Sequence, residues 1–156
     1  MLEIDIPGGP ELRLDHLVLD FNGTIAVDGE VIPGVRELME SLASRLAVHV
    51  LTADTHGQVR DVLADYPCQV EIIGKEAQDR AKLDFVDGLG RGSCVAVGNG
   101  QNDARMLEGV ALGIAVMQTE GIAVPSLMAA DVACTSIQDA LGLLVNPLRL
   151  KATLRR

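Results

Sequence analysis

The spacing of apolar positions changes along the chain, and each change marks an element. The opening reads as a hairpin around the turn-formers Pro7-Gly8-Gly9-Pro10. The run His16-Leu17-Val18-Leu19-Asp20-Phe21 is then apolar until it meets a carboxylate, the signature of a buried strand that ends in chemistry. Gly29 and Pro33-Gly34 punctuate a second, short hairpin, after which Val35, Leu38, Met39, Leu42 and Leu46 keep helical spacing. The pattern continues with a strand over 47–51, a helix over 55–65, a strand over 69–73 and a helix over about 76–86. Next come a strand over 94–97, a short helix over 102–107, a strand over 113–116, an edge strand over 132–134 and a last helix from Ile137. Strands and helices alternating at this spacing predict right-handed crossovers: a Rossmann-like three-layer α/β sandwich with a mainly parallel sheet, whose ligands bind at the carboxyl ends of the strands.

Composition sharpens this picture. With 156 residues the expected organisation is one domain, its core at about 15–145. Hydrophobic residues make up 48% and aromatics only 2%, so the core is built from Val, Leu, Ile and Ala, which suits strands covered on both faces. A net charge of -9 without basic stripes argues against nucleic-acid or anionic-membrane partners. Cys68, Cys94 and Cys134 lie singly in apolar runs and read as buried thiols of a reducing compartment. With no long apolar span and no signal-like start, the expected location is the cytoplasm. Arg155-Arg156 reads as a frayed basic end.

Several polar residues fall at or beyond the predicted strand ends. Asp20 precedes Asn22-Gly23-Thr24, a turn whose glycine lets backbone amides approach an anion, although an Asp at a strand end is by itself more often a structural cap. Thr52 offers a hydroxyl to a phosphoryl oxygen or caps the following helix. Lys82 neutralises phosphoryl charge or is one more solvated lysine on a charged helix. Gly98-Asn99-Gly100-Gln101-Asn102-Asp103 brackets oxygen ligands with glycines, which suits Mg²⁺ held by Asp20, the Asn22 carbonyl, Asp103 and the Asn99 side chain. A dinucleotide fingerprint fits poorly, because the third glycine is missing. His49, His56 and Arg60 receive no role.

Taken together, Leu19-Asp20-Phe21-Asn22-Gly23-Thr24, Leu51-Thr52, Lys82 and the 98–103 motif resemble, in order, the four motifs of the HAD (haloacid dehalogenase-like) superfamily. The stretches Gly113-Ile114-Ala115-Val116 and Ala129-Ala130-Asp131-Val132-Ala133 are similar to the end of a P-type ATPase phosphorylation domain, so the chain resembles the free-standing relatives of that domain over about 17–144. The resemblance implies a HAD-like fold, Mg²⁺ and attack by Asp20 on a phosphoryl group to form an aspartyl-phosphate that water hydrolyses. It also implies that Phe21, Gly23, Thr24, Thr52, Ala53 and Lys82 hold the phosphoryl group.

Two positions depart from the family pattern. Asn22 stands where HAD phosphatases carry the acid that protonates the leaving group, which implies slow or leaving-group-selective turnover. Asn99 replaces an expected Asp and implies weaker Mg²⁺ binding. The interval from Asp20 to Thr52 is filled by one hairpin and one helix, leaving no room for a large cap domain, so closure falls to the 25–31 flap, a neighbouring subunit or a large substrate. The expected ligand is a small phosphorylated substrate or a phosphorylated macromolecule, with homo-oligomerisation an open option. The alternatives are a catalytically weak regulatory module that binds phosphate and Mg²⁺, and a receiver-like phosphoacceptor domain.

Overall fold

The computed structural model describes residues 1–54 and 57–156. The sequence-predicted start of the second helix at Thr55, and His56, lie outside the described residues.

Strands β1 (Leu2–Asp5) and β2 (Glu11–Leu14) pair antiparallel as the opening hairpin. Strand β3 (His16–Asp20) then enters the centre of a six-stranded sheet. β4 (Ala26–Val27) and β5 (Glu30–Val31) form the flap. Asp28 and Gly29, at φ 51° and 81°, make its two-residue turn, the doubly positive geometry that matches strand twist. Helix α1 (Val35–Ala43), β6 (Ala47–Thr52), α2 (Gln58–Val62), β7 (Gln69–Ile72) and α3 (Gln78–Leu89) follow. The chain continues through β8 (Cys94–Gly98), α4 (Ala104–Gly109), β9 (Leu112–Val116), α5 (Val124–Ala129) and β10 (Val132–Cys134), and ends with α6 (Ile137–Val145) and α7 (Pro147–Leu154).

The sheet order is β10-β9-β8-β3-β6-β7, parallel throughout. The chain leaves β3 toward β6 and β7, then returns to β8 on β3's other side, so the switch in winding direction opens a crevice at the carboxyl ends of β3 and β8. Two elements escaped the sequence reading, α5 and α7. Both are short and have proline in their first turn, so neither has a long periodic face to announce it. The final residues are also not frayed: the Arg156 amide donates to the Pro7 carbonyl at 3.0 Å, docking the end of the chain on the first hairpin.

Alternation along the strands sorts the core into two layers and aims the chemistry. Leu17, Leu19, Val48, Val50, Val95 and Val97 face the layer closed by Met39, Leu42, Leu141 and Leu144 of α1 and α6. Val18, Leu51, Cys94 and Ala96 face Val86 of α3 and Met106 and Leu107 of α4. Each Val, Leu or Met side chain among them removed from water is worth about 1.5–3 kcal/mol. Asp20 shares the parity of Val18, so it projects to the α3 side. Lys82 lies one turn before Val86 on the inward face of α3, which brings it toward the strands' carboxyl ends. Of the three cysteines expected to be buried, only Cys94 is; Cys68 and Cys134 are half-buried, and desolvation pushes the Cys68 and Cys94 thiols up to about 11.

On this same face His49 is 5% exposed, stands edge-on to Phe85 and shares a 3.2 Å hydrogen bond with His16 through Nε2. Its buried Nδ1 has no partner among the described residues. Burial first, then the neighbouring His16, lowers its pKa. The unfolded chain therefore binds a proton at this residue before the folded chain does, and stability falls as pH drops below about 6.5. Thermal melts of the wild type and His49→Phe from pH 7.5 to 5 check this: the wild type should lose more Tm on acidification than the variant, and parallel curves would contradict it.

Candidate active site

Asp20 ends β3, and in register it sits opposite Leu51, so Thr52 emerges one residue beyond it on the adjacent strand. On the other side β8 stops at Gly98, and the 3-10 turn Gln101–Asp103 folds Asp103 back beneath the strand end. Gly98 is required here, because a Cβ would lie 2.5 Å from the Asp103 carboxyl carbon.

The Lys82 ammonium bridges two carboxylates, 2.6 Å from Asp20 Oδ1 and 2.6 Å from Asp103 Oδ1. Lys82 is 1% exposed and Asp103 is fully buried. Asp103 Oδ2 accepts from the amides of Asn99, 3.0 Å, and Gly100, 2.8 Å. The Thr24 hydroxyl lies 3.1 Å from Asp20 Oδ2 and 3.2 Å from Asn99 Oδ1, linking the Asp20 turn and the glycine-rich loop. Asn102 Nδ2 donates to Gln78 Oε1 at 2.7 Å and ties that loop to the start of α3.

Two buried carboxylates thus share one ammonium. Burial, reinforced by Asp103 and opposed by Lys82 and Thr24, raises Asp20 to about 6. Burial works against the charge on Lys82, but the two carboxylates outweigh it and hold its pKa above the usual lysine value.

Above this triad opens a cleft of about 570 Å³ whose walls include Asp20, Phe21, Asn22, Thr52, Ala53 and Lys82, with Asn99 beside them. Among the described residues the buried Thr52 hydroxyl has no hydrogen-bond partner, a bond that a ligand oxygen would supply. Thr52 does not cap α2; Asp54 Oδ2 accepts from the Val59 amide there, at 2.8 Å. The expectation that the Gly23 and Thr24 amides hold an anion meets a different geometry. The Gly23 amide donates to Ala26 O at 2.8 Å and the Thr24 amide to Phe21 O at 3.3 Å, so both are spent inside the turn, and neither residue lines the cleft. Phe21 and Asn22 present the turn to the cleft instead.

Sequence reading missed Gln118 and Glu120. Gln118 Nε2 donates to the carbonyls of Gly23, 3.1 Å, and Thr24, 2.9 Å, while its Oε1 accepts from the Ile137 amide at 2.7 Å. Glu120 lies on the cleft wall. The Gly121 that follows them was the only local signal available.

Asp103, expected among the Mg²⁺ ligands, is instead fully buried, with Oδ1 on Lys82 and Oδ2 on the Asn99 and Gly100 amides, and does not line the cleft. The hard oxygens of Asp20 and Asn99, and of the main chain at Asn22, suit a small divalent cation, as does the excess of carboxylate over ammonium. No group of three or more His, Cys, Asp or Glu side chains is poised for a metal among the described residues, so a cation here would retain several waters, as Mg²⁺ does. No helix among the described residues is long and apolar enough to cross a membrane.

No family model matches the chain. An uncharacterised protein of Methanocaldococcus jannaschii is 44% identical over 61 residues, covering 39% of this chain and 66% of that protein. A second from the same organism is 46% identical over 39 residues, covering 25% of this chain and 89% of its own length. Among solved structures, a Streptomyces avermitilis protein described as a HAD family hydrolase superposes with TM-score 0.68 at 20% identity, over 97% of this chain and 91% of its own. A 3-deoxy-D-manno-octulosonate 8-phosphate phosphatase of Moraxella catarrhalis, in complex with magnesium, phosphate and KDO, gives 0.65 at 17%, over 91% and 94%. The catalytic domain of the CPx-ATPase CopB-B gives 0.58 at 22%, over 74% of this chain and 46% of that one.

Proposed function

This chain has the fold of the HAD superfamily, and on that footing we propose that it is a phosphohydrolase whose Asp20 accepts the phosphoryl group as an aspartyl-phosphate. The observation that carries the reading is the buried Asp20–Lys82–Asp103 triad at the floor of a cleft where the Thr52 hydroxyl lacks a partner among the described residues. Lys82 holds the Asp20 carboxylate in place and meets phosphoryl charge. Thr52, with the main chain at Phe21, Asn22 and Ala53, surrounds the transferred group. An Asp20 oxygen bonds to phosphorus, the bond to the leaving oxygen breaks, and water then releases inorganic phosphate and regenerates Asp20.

Mg²⁺ is the proposed cofactor. Asp20, the Asn22 carbonyl and Asn99 Oδ1 would hold it, while Asp103 adds charge from behind and fixes the Asn99 backbone. Bound there, it would neutralise phosphoryl oxygens and orient the group for attack. The Asn99 amide is matched to its surroundings: Nδ2 donates to Gly121 O at 3.1 Å, a bond that an Asp could not make.

Asn22 is exposed at the cleft and cannot donate a proton to a departing alkoxide at neutral pH. General acid help is worth roughly 10²–10⁴ in rate, so alkyl phosphates should be poor substrates and acyl or aryl phosphates better ones. Phosphate release from acetyl phosphate, para-nitrophenyl phosphate and a simple sugar phosphate tests this. The first two should exceed the third by about 10²-fold in kcat/KM, and an Asn22→Asp variant should narrow the gap. Equal rates in the wild type would count against the assignment.

A further inference from the structure

Hydrolysis of an aspartyl-phosphate needs a base for the attacking water, and Asn22 cannot serve. Among the described residues three carboxylates line the cleft: Asp20, Asp54 and Glu120. Asp20 is the nucleophile, and Asp54 is engaged by the Val59 amide at the start of α2. Glu120 alone of the three makes no hydrogen bond or ion pair among the described residues.

Its side chain is exposed, but the backbone that carries it is held. Residues 118–121 form a tight turn, closed by the Gly121 amide on Gln118 O at 2.8 Å, with Gly121 at φ 76° where a side chain would be strained. One end of the turn is pinned to the nucleophile loop through Gln118 and the Gly23 and Thr24 carbonyls. The other is pinned to the glycine-rich loop: Asn99 Nδ2 donates to Gly121 O, and the Ala123 amide donates to Asn99 O at 2.9 Å. Ser126 Oγ adds a bond to the Gly100 carbonyl. The turn thus spans the two loops that define the phosphoryl site and carries an unpaired carboxylate on the wall of the cleft between them.

We propose that Glu120 is the general base of the dephosphorylation step, an assignment that rests on the aspartyl-phosphate reading above. Water gives a proton to the Glu120 carboxylate as its oxygen bonds to phosphorus. The phosphorus–oxygen bond to Asp20 breaks, its electron pair returns to the Asp20 carboxylate, inorganic phosphate leaves, and Glu120 returns its proton to solvent. As a carboxylate Glu120 accepts a proton rather than supplying one, so it serves the second half-reaction and leaves alkyl leaving groups unassisted in the first.

Rapid-quench measurements with acetyl phosphate and Mg²⁺ separate the two half-reactions. In Glu120→Gln the rate of phosphoenzyme formation should stay within about twofold of wild type while its breakdown slows by about 10²-fold, so that phosphoenzyme accumulates. Adding Asn22→Asp to Glu120→Gln should restore breakdown, because another residue of the cleft wall then carries a carboxylate. Wild-type breakdown in Glu120→Gln, or an equal loss in both half-reactions, overturns the role of Glu120 while phosphoenzyme formation still upholds Asp20. Turnover with no phosphoenzyme in any variant overturns the aspartyl-phosphate reading itself, and this proposal with it.

Discussion

Asp20→Asn should lower phosphate release from acetyl phosphate by at least about 10⁴-fold without unfolding the protein. The activity loss follows from chemistry: an amide oxygen is too weak a nucleophile to take the phosphoryl group, and covalent capture by Asp20 is the proposed route. Retention of the fold follows from the charge balance of the triad. Two carboxylates surround the single Lys82 ammonium, and burial together with Asp103 raises Asp20 to about 6, so the second carboxylate is a cost to the folded state. Replacing it by a neutral amide of the same shape leaves a balanced Lys82–Asp103 pair. The variant's Tm in chelator should therefore equal or exceed that of the wild type, as expected where a site is arranged for function at the expense of stability. Residual activity within tenfold of wild type, measured on protein free of contaminating phosphatase, would remove Asp20 from the nucleophile's role.

Lys82→Met should have the opposite effect on stability. The ammonium is 1% exposed and is the only cation within bonding distance of either carboxylate among the described residues. Its removal leaves Asp20 and Asp103 facing each other without compensation, and breaking a buried pair in this way costs about 3–5 kcal/mol. For a chain of this size that is roughly 6–20 °C in Tm. Phosphate release should fall together with stability, because the same ammonium orients the nucleophile and meets the phosphoryl charge. Calorimetry at neutral pH with and without Mg²⁺ is the check. A Tm within 2 °C of wild type would mean that the triad is not under the electrostatic load its geometry implies.

The catalytic floor was legible in the sequence because each of its members sits where a periodic pattern breaks. Asp20 interrupts an apolar strand, Thr52 ends the next one, and Lys82 lies one helical turn from Val86 on the inward face of α3. Strand parity alone carries Asp20 to the face on which Lys82 waits. The sheet was legible for the same reason, since β3, β6, β8 and β9 are short apolar runs separated by helical spacing. What could not be read were contacts decided by three-dimensional closure. Gln118 reaches the Gly23 and Thr24 carbonyls across more than ninety residues of chain, and Glu120 is a surface-type residue until the turn around it is pinned. The Gly23 and Thr24 amides looked free to bind an anion because a sequence does not say which way a turn folds. Here the turn curls inward on Ala26 and Phe21. The capping role open to Thr52 passed to Asp54, two residues on, and left the Thr52 hydroxyl unpaired in the cleft.

A covalent phosphoryl group on Asp20 can be trapped chemically. The protein is mixed with acetyl phosphate and Mg²⁺, quenched in acid and reduced with borohydride, which converts an aspartyl-phosphate to homoserine, and its peptides are mapped by mass spectrometry. Homoserine should appear at Asp20, dependent on Mg²⁺ and absent from Asp20→Asn. Phosphate release with Asp20 unmodified, or with the label on another residue, would contradict it.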